Sequence, residues 1–338
     1  MSSLPSSRVS PWPHRWAVVL ACATFPLVWV GGLVTTTDAG MAVPDWPNTF
    51  GYNLFLYPWQ SWLAGPWDLF VEHGHRLLAA GVGLLTICLL VALIRSESRL
   101  WVCGLGIAAL LLVILQGMLG GIRVLFDERT FAMLHGLTGP MFFGLTVALV
   151  VFTSPTWLAA NSPEALAIQS AGQIRALAAV TAILAYLQIV LGAVLRHVPV
   201  DSQPGAFLLA TKFHLFLAAV LTLHILMLAG LVFVRGRRKP LTRLAGMLLG
   251  LIVVQVLLGI ATWMEKYSVP EWASSWFPHS AMVIREGSWL QTHIITAHVA
   301  TGSAVFGTAV ALALYAFRLP ASSATIGRVR SARLGVAL

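Results

Sequence analysis

Eight long apolar runs constrain this chain more than any other feature. They fall at about 16–34, 72–94, 101–122, 131–153, 175–195, 207–234, 241–264 and 289–317. A hydrocarbon core of about 30 Å, climbed at about 1.5 Å per residue, takes about 20 residues, so each run has the length of one transmembrane helix. A helix suits that setting because it satisfies its backbone N–H and C=O groups internally. Only 10% of the 338 residues are charged and 58% are hydrophobic, against about 25% charged in a typical soluble domain. That balance excludes a water-soluble globule and a disordered chain. The three cysteines (Cys22, Cys88, Cys103) lie in or beside apolar runs, where they read as small buried hydrophobes and not as a disulfide or metal framework. The first run lacks a clear small-residue cleavage site and is read as a helix, not a signal peptide.

The net charge of +9 invites a nucleic-acid partner, but its distribution points to membrane lipid instead. Fourteen of the 21 Lys and Arg residues fall in alternate segments between the runs, among them Arg95, Arg99, Arg175, Arg235, Arg237, Arg238, Lys239 and Arg318. The loop 35–71 has no Lys or Arg, and holds Asp38, Asp45 and Asp68. By the positive-inside rule both termini are cytoplasmic, or on the matrix side, and the loop 35–71 is outside.

The runs repeat. The fourth carries His135-x-x-Thr138-Gly139-x-x-x-Phe143-Gly144 and the eighth His298-x-x-Thr301-Gly302-x-x-x-Phe306-Gly307. The third and seventh carry Gln116-x-x-Leu119-Gly120 and Gln255-x-x-Leu258-Gly259; in the second and sixth, His75 and His214 each precede Leu-Ala-Ala. An even number of spans per copy makes the copies parallel, related by an axis along the membrane normal. The expected fold is an all-α membrane protein of eight transmembrane helices, built as two pseudo-two-fold-related four-helix bundles over 1–160 and 161–338.

His75, His135, His214 and His298 are the repeat-related histidines, all in the outer half of even-numbered runs. An imidazole in hydrocarbon is costly unless paired or ligated. Facing histidines in a four-helix bundle hold a heme iron axially, and nearby glycines (Gly74, Gly136, Gly139, Gly302) let a flat macrocycle approach. The plainer reading is that these histidines hydrogen-bond across helices as packing contacts. Zinc or copper has less support, since no acidic or cysteine cluster completes a shell. The other six (His14, His73, His197, His224, His279, His293) read as interface, solvent or hydrogen-bond residues.

The copies differ in one respect. Glu72 lies one turn before His75 and Arg76 directly follows it, whereas the second copy has Thr211 and Leu215 there. A buried carboxylate is expensive unless used. Glu72 therefore reads as a group that moves a proton or stabilises positive charge at a substrate, or else as one half of an interfacial ion pair. Arg76, Arg123, Arg196 and Lys212, near the outer ends of the runs, read as partners for heme propionates or as ordinary helix-end charge. The loop 35–71 is rich in aromatics (Trp46, Phe50, Tyr52, Phe55, Tyr57, Trp59, Trp62, Trp67, Phe70). It reads as a headgroup-level belt or as a lid over the first histidine pair.

Several of these features converge. Gly31-Gly32 and the polar stretch Thr35–Gly40, Pro44-Asp45-Trp46-Pro47, Glu72-x-x-His75-Arg76, Gln116-x-x-Leu119-Gly120-Gly121 and His135, with the four-plus-four repeat, resemble the heme A synthase family. The resemblance covers most of the chain. It implies a membrane oxidoreductase that converts the C8 methyl of heme O to a formyl group, giving heme A for cytochrome oxidase. It also implies that His214 and His298 bind a heme b cofactor, while His75 and His135 bind the substrate heme with Glu72 close by. Implied partners are heme O, a heme O synthase and an electron carrier, with a homo-oligomer possible. The implied location is a bacterial inner membrane, or the mitochondrial inner membrane in a eukaryote. This chain departs from many bacterial members in having Val43, not Cys, before Pro-Asp-Trp-Pro, and no outer-loop cysteine pair. Two rival functions fit the residues: a non-enzymatic di-heme b-type cytochrome exchanging electrons with quinone, and a two-repeat transporter. The first does not account for Glu72 and Arg76; the second lacks a polar path at midplane.

Overall fold

The computed structural model describes residues 10–159, 170–198, 203–268 and 286–319. Among them the chain is helical, apart from connecting loops and one isolated bridge, Thr49 to Tyr52. The helices are α1 (Trp12–Thr36), α2 (Trp59–Leu63), α3 (Trp67–Ser96), α4 (Leu100–Phe126), α5 (Arg129–Thr153), α6 (Pro155–Ala159), α7 (Ala171–Arg196), α8 (Pro204–Arg235), α9 (Lys239–Tyr267) and α10 (Trp289–Phe317). All but α2 and α6 are long and apolar enough to cross a membrane. They match the eight expected runs, and the protein is an integral, multi-pass membrane protein. Helix ends follow local chemistry. Pro66 precedes α3, α4 stops at Asp127 in a left-handed conformation (φ 50°), and Ser288 caps α10 by accepting from Gln291 N at 3.2 Å. Gln291 then reaches back to accept from Gly287 N (2.8 Å) and donates to Glu265 O (2.6 Å), closing a variant of the capping box.

The chain divides into two units, Met1–Val30 with Gly40–Leu158, and Gly31–Ala39 with Ala159–Leu338. In the first, α3 packs on α4 and α4 on α5. The start of α1 joins them through Ala17, Leu20 and the Phe25–Phe143 ring contact. In the second, α7, α8, α9 and α10 pack in sequence and α10 returns to α7.

Each unit packs tightly at one end. The first core draws on Ala17 and Leu20 of α1, Leu89 and Leu93 of α3, Val102 and Ala109 of α4, and Leu149 of α5. The second draws on Ile174 and Ala178 of α7, Ile225 and Leu228 of α8, Ala245 and Leu248 of α9, and Ala309 and Leu312 of α10. Since neighbouring helices run antiparallel, the starts of some and the finishes of others meet at the same end. Lipid is as apolar as leucine, so these contacts hold by close packing, which small residues permit. The four repeat-related histidines lie toward the opposite ends of their helices, away from these cores.

Candidate functional site

Each unit brings its two histidines face to face. In the first, the rings of His75 (α3) and His135 (α5) have centroids 6.3 Å apart and planes at 85°. In the second, His214 (α8) and His298 (α10) stand 6.4 Å apart at 66°. Among the described residues no three His, Cys, Asp or Glu side chains converge on a metal-sized point.

The helix before each of three histidines supplies a seat. His135 Nδ1 lies 3.1 Å from Gln116 O, and Gly120, one turn on, leaves room for the ring: a Cβ there would stand 3.4 Å from His135 Cε1. A Cβ on Gly259 would stand 3.1 Å from His298 Cε1, and His298 Nδ1 is buried without a hydrogen-bond partner among the described residues. A Cβ on Gly192 would stand 3.3 Å from His214 Cε1, and Gln188 Nε2 lies 3.2 Å from each nitrogen of that ring. The Gln116 and Gln255 side chains also reach the turn after their histidine. Gln116 Nε2 donates to Thr138 Oγ1, and Gln255 Nε2 would lie 3.3 Å from a Cβ on Gly302. Gln188 escapes the pairwise comparison of runs three and seven, but Gln188-x-x-Leu191-Gly192 has the same spacing and is visible in the sequence.

Beside the first pair sits a buried ion pair. Glu72 is 3% exposed. Its Oε1 accepts from Arg76 Nη2 at 2.7 Å and its Oε2 from Val43 N at 2.8 Å. The Arg76 guanidinium also donates to the carbonyls of Val43 (2.8 Å), Asp45 (2.7 Å) and Asn48 (2.8 Å). Arg76, read from the sequence as a propionate partner, a helix-end charge or the partner of Glu72, clamps the loop: planar N–H donors on both arms of its fork match three carbonyls and the Glu72 carboxylate at once. The resemblance left the means of holding this loop open once the cysteines were missing; here the clamp is Glu72–Arg76.

The clamp organises residues 40–66. The Asp45 carboxylate accepts from Phe50 N (2.8 Å) and Gly51 N (2.7 Å), tying down a turn in which both have positive φ. Partial burial would raise the Asp45 pKa, but the hydrogen bonds from Gly51 and Phe50, with the Arg76 charge, outweigh that and hold it below the usual value of 3.8. His73 is fully buried, bonded to Thr49 Oγ1 (3.0 Å) and packed on the Tyr57 and Trp62 rings. Gly121 lies so close under the Trp46 indole that a Cβ there would clash, and Gly40 lies as close to the Arg123 guanidinium.

Of the other expected site residues, Arg123 stands within electrostatic reach of both His75 and His135. Arg196 donates to Thr36 Oγ1 (2.5 Å) and Gly32 O (3.2 Å). Lys212 is exposed on α8. His197, His224 and His293 each hydrogen-bond a carbonyl four residues back on their own helix, and His14 pairs with Thr153. His279 lies outside the described residues.

A known family and a known protein resemble parts of this chain. The cytochrome oxidase assembly protein family matches residues 66–199, the stretch that holds Glu72, His75, Arg76, Arg123, His135 and Arg196. A heme A synthase from Shewanella oneidensis is 26% identical over 151 residues, covering 41% of this chain and 44% of the relative. Over these stretches the chain is similar to that family and to this heme A synthase. The match thus takes in less than half the length of this family member. His214, Lys212 and His298 lie beyond the family's matched residues, so the second pair rests on the repeat and the structure alone.

Proposed function

We propose that this protein is a heme A synthase that receives heme O between His75 and His135 and keeps a heme b between His214 and His298. The observation that carries the reading is the width of the two gaps. Two imidazoles sharing one metal, at about 2 Å per bond and about 1.15 Å from nitrogen to ring centre, put their centroids about 6.3 Å apart. The measured 6.3 and 6.4 Å fit a shared iron in both pairs. His135 agrees in detail, since its Nδ1 is engaged with Gln116 O and leaves Nε2 for the metal. The placement of tight packing at the far end of each unit fits the same reading, because a macrocycle needs space between helices.

A methyl group resists acid–base chemistry, so the oxidation of the C8 methyl to a formyl group belongs to heme redox chemistry, while the protein orients and shields. The residues of the chain divide that work. His75 and His135 fix the plane of the substrate. Arg123 sets a positive charge near it, suited to a propionate. Glu72, paired with Arg76, lies one turn before His75 and fastens the loop through Val43 N. Arg196 and Lys212 are assigned to the outer side of the second unit as propionate partners, and residues 1–160 and 161–338 to the substrate and cofactor halves. The charge pattern supports cytoplasmic termini, with both pairs in the outer half of a bacterial or mitochondrial inner membrane and an upstream heme O synthase and an electron carrier as partners.

Extraction and mass analysis of the tetrapyrroles from purified protein test the reading. One retained protoheme and one farnesylated heme per chain support it. Two protohemes per chain and no formyl product on supplying heme O overturn it in favour of a b-type cytochrome.

A further inference from the structure

At the helix ends remote from the histidine pairs, the two units differ again. The same spacing separates His75 from Gln116 and His214 from Gln255. The turn between α3 and α4 can therefore be compared, position by position, with the turn between α8 and α9. Glu97, Ser98, Leu100 and Gly104 of the first match Gly236, Arg237, Lys239 and Arg243 of the second. Three cations stand where the first unit has a hydroxyl, an isobutyl group and a bare backbone, and the acid is gone. In the first turn Glu97 pairs with Arg99 at 2.6 Å, and Arg99 also donates to Phe152 O at 2.9 Å. In the second, Arg235 donates to Ser170 Oγ at 3.0 Å and Arg237 Nε to Phe233 O at 3.1 Å. Among the described residues neither Lys239 nor Arg243 joins an ion pair. No Asp or Glu occurs between Asp201 and Glu265.

The three cations also share a setting. Lys239 and Arg243 are exposed, and the side of α9 that they begin continues through the exposed residues Met247, Val254 and Leu257, at the three- and four-residue steps of one helix face. On α8, which packs against α9, the exposed residues Leu223, Met227 and Val234 form a similar side, and exposed Arg237 follows just past the helix end. In a bilayer such apolar sides lie against acyl chains. The cations therefore stand at the head of a lipid-facing surface. Arg243 lies one turn inside α9, about 6 Å along the axis from Lys239, so positive charge is spread over the depth of a headgroup. Membrane topology asks only for net positive charge at such a turn. Arg95 and Arg99 give that to the first unit without putting a cation on the matching lipid-facing positions.

We propose that Arg237, Lys239 and Arg243 form a headgroup site for an anionic phospholipid. The lipid phosphate lies against the three cations, and its acyl chains lie along the exposed sides of α8 and α9. A soluble anion would meet the charge but leave the apolar sides unused, so the ligand is a lipid. The site stands whether or not the histidine pairs hold heme.

The test uses the full-length protein in detergent, stripped of lipid. It is titrated with phosphatidylglycerol or with phosphatidylcholine of the same acyl chains, and bound lipid is counted by native mass spectrometry. Wild type should prefer phosphatidylglycerol at least tenfold, since each cation near an anionic headgroup is worth about fivefold. Equal retention of the two lipids overturns the proposal. Arg237→Gln, Lys239→Gln and Arg243→Gln together should abolish the preference, and Arg243→Gln alone, the gentler change, should lower it about fivefold. A preference unchanged in both variants overturns the site. Arg95→Gln, which removes a charge at the matching end of the first unit, should keep the preference; a loss equal to that of Arg243→Gln reduces the effect to net charge and also overturns it. Glycerol phosphate, which has the anion without the chains, should not displace the lipid at equal concentration, and displacement by it overturns the lipid reading. A wild-type dimer that the triple variant dissociates would assign this surface to a second copy of the chain, against the proposal.

Discussion

The two histidine pairs are nearly the same in width and differ in what surrounds them. Beside His75 lie a buried carboxylate and a guanidinium that hold a loop in place. Beside His214 the matching positions are Thr211, whose hydroxyl turns back to Phe207 O on its own helix, and Leu215, which is exposed. One pair is equipped with charge and a fastened cover. The other is given a glutamine on one histidine and a glycine against each ring. On the proposed reading the first pair takes part in chemistry and the second retains its heme, and what separates them is a handful of polar residues.

Substitutions break or sharpen that contrast to different degrees. The largest effect is expected from His298→Ala, which should remove heme b, read as loss of the bound protoheme in a pyridine hemochrome assay. Glu72→Ala should leave the heme b spectrum intact and abolish heme A formation, read by mass analysis of extracted hemes. Loss of heme b in Glu72→Ala, with none in His298→Ala, would exchange the roles of the two units.

Arg76→Met tests the clamp apart from the ligands. It leaves Glu72 as a buried charge without its partner and three loop carbonyls without donors. Breaking a buried pair in this way costs about 3–5 kcal/mol, so the loop 43–51 should become sensitive to protease while the second heme site stays loaded. A loop as resistant as wild type would show that the aromatic packing of His73 and Trp46 holds it alone.

The smallest effect concerns Asp45. Its carboxyl titrates below the usual 3.8 in the folded protein. A depressed folded pKa means that its stabilisation is complete above the ordinary carboxylate range and is lost as pH falls through the folded value. Protection of the loop from protease should therefore hold at pH 5 to 7 and decline below about 3.8. In Asp45→Asn, which keeps an acceptor for only part of the Phe50 and Gly51 turn, the carboxylate-dependent part of that decline should vanish. Equal profiles for the two proteins would remove Asp45 from the account.

Helix number and type were legible from the runs because crossing a bilayer demands a fixed length of apolar residues and leaves the backbone few alternatives. The identity of the two facing pairs was legible from the repeat, since the histidines stand at matching positions in alternate apolar runs. Gln188 was legible as well, once its spacing was compared with that of Gln116 and Gln255. The destination of Arg76 was not. A guanidinium at a helix end has equal sequence-level claim to a propionate, a headgroup or a loop carbonyl, and only the path of residues 43–48 decides among them. His73 was hidden for the same reason: a second histidine two residues from His75 points away from the pair, and nothing local shows that an aromatic loop folds down to meet it.

By itself the sequence determined a bundle of membrane helices, the registry of four imidazoles and the asymmetry of charge between the two copies, because each follows from length, periodicity or position along a helix. Tertiary structure decided the distance across each gap, the partner of each buried charge and the route of the loop. Those depend on contacts between residues far apart in the chain, which no local pattern records.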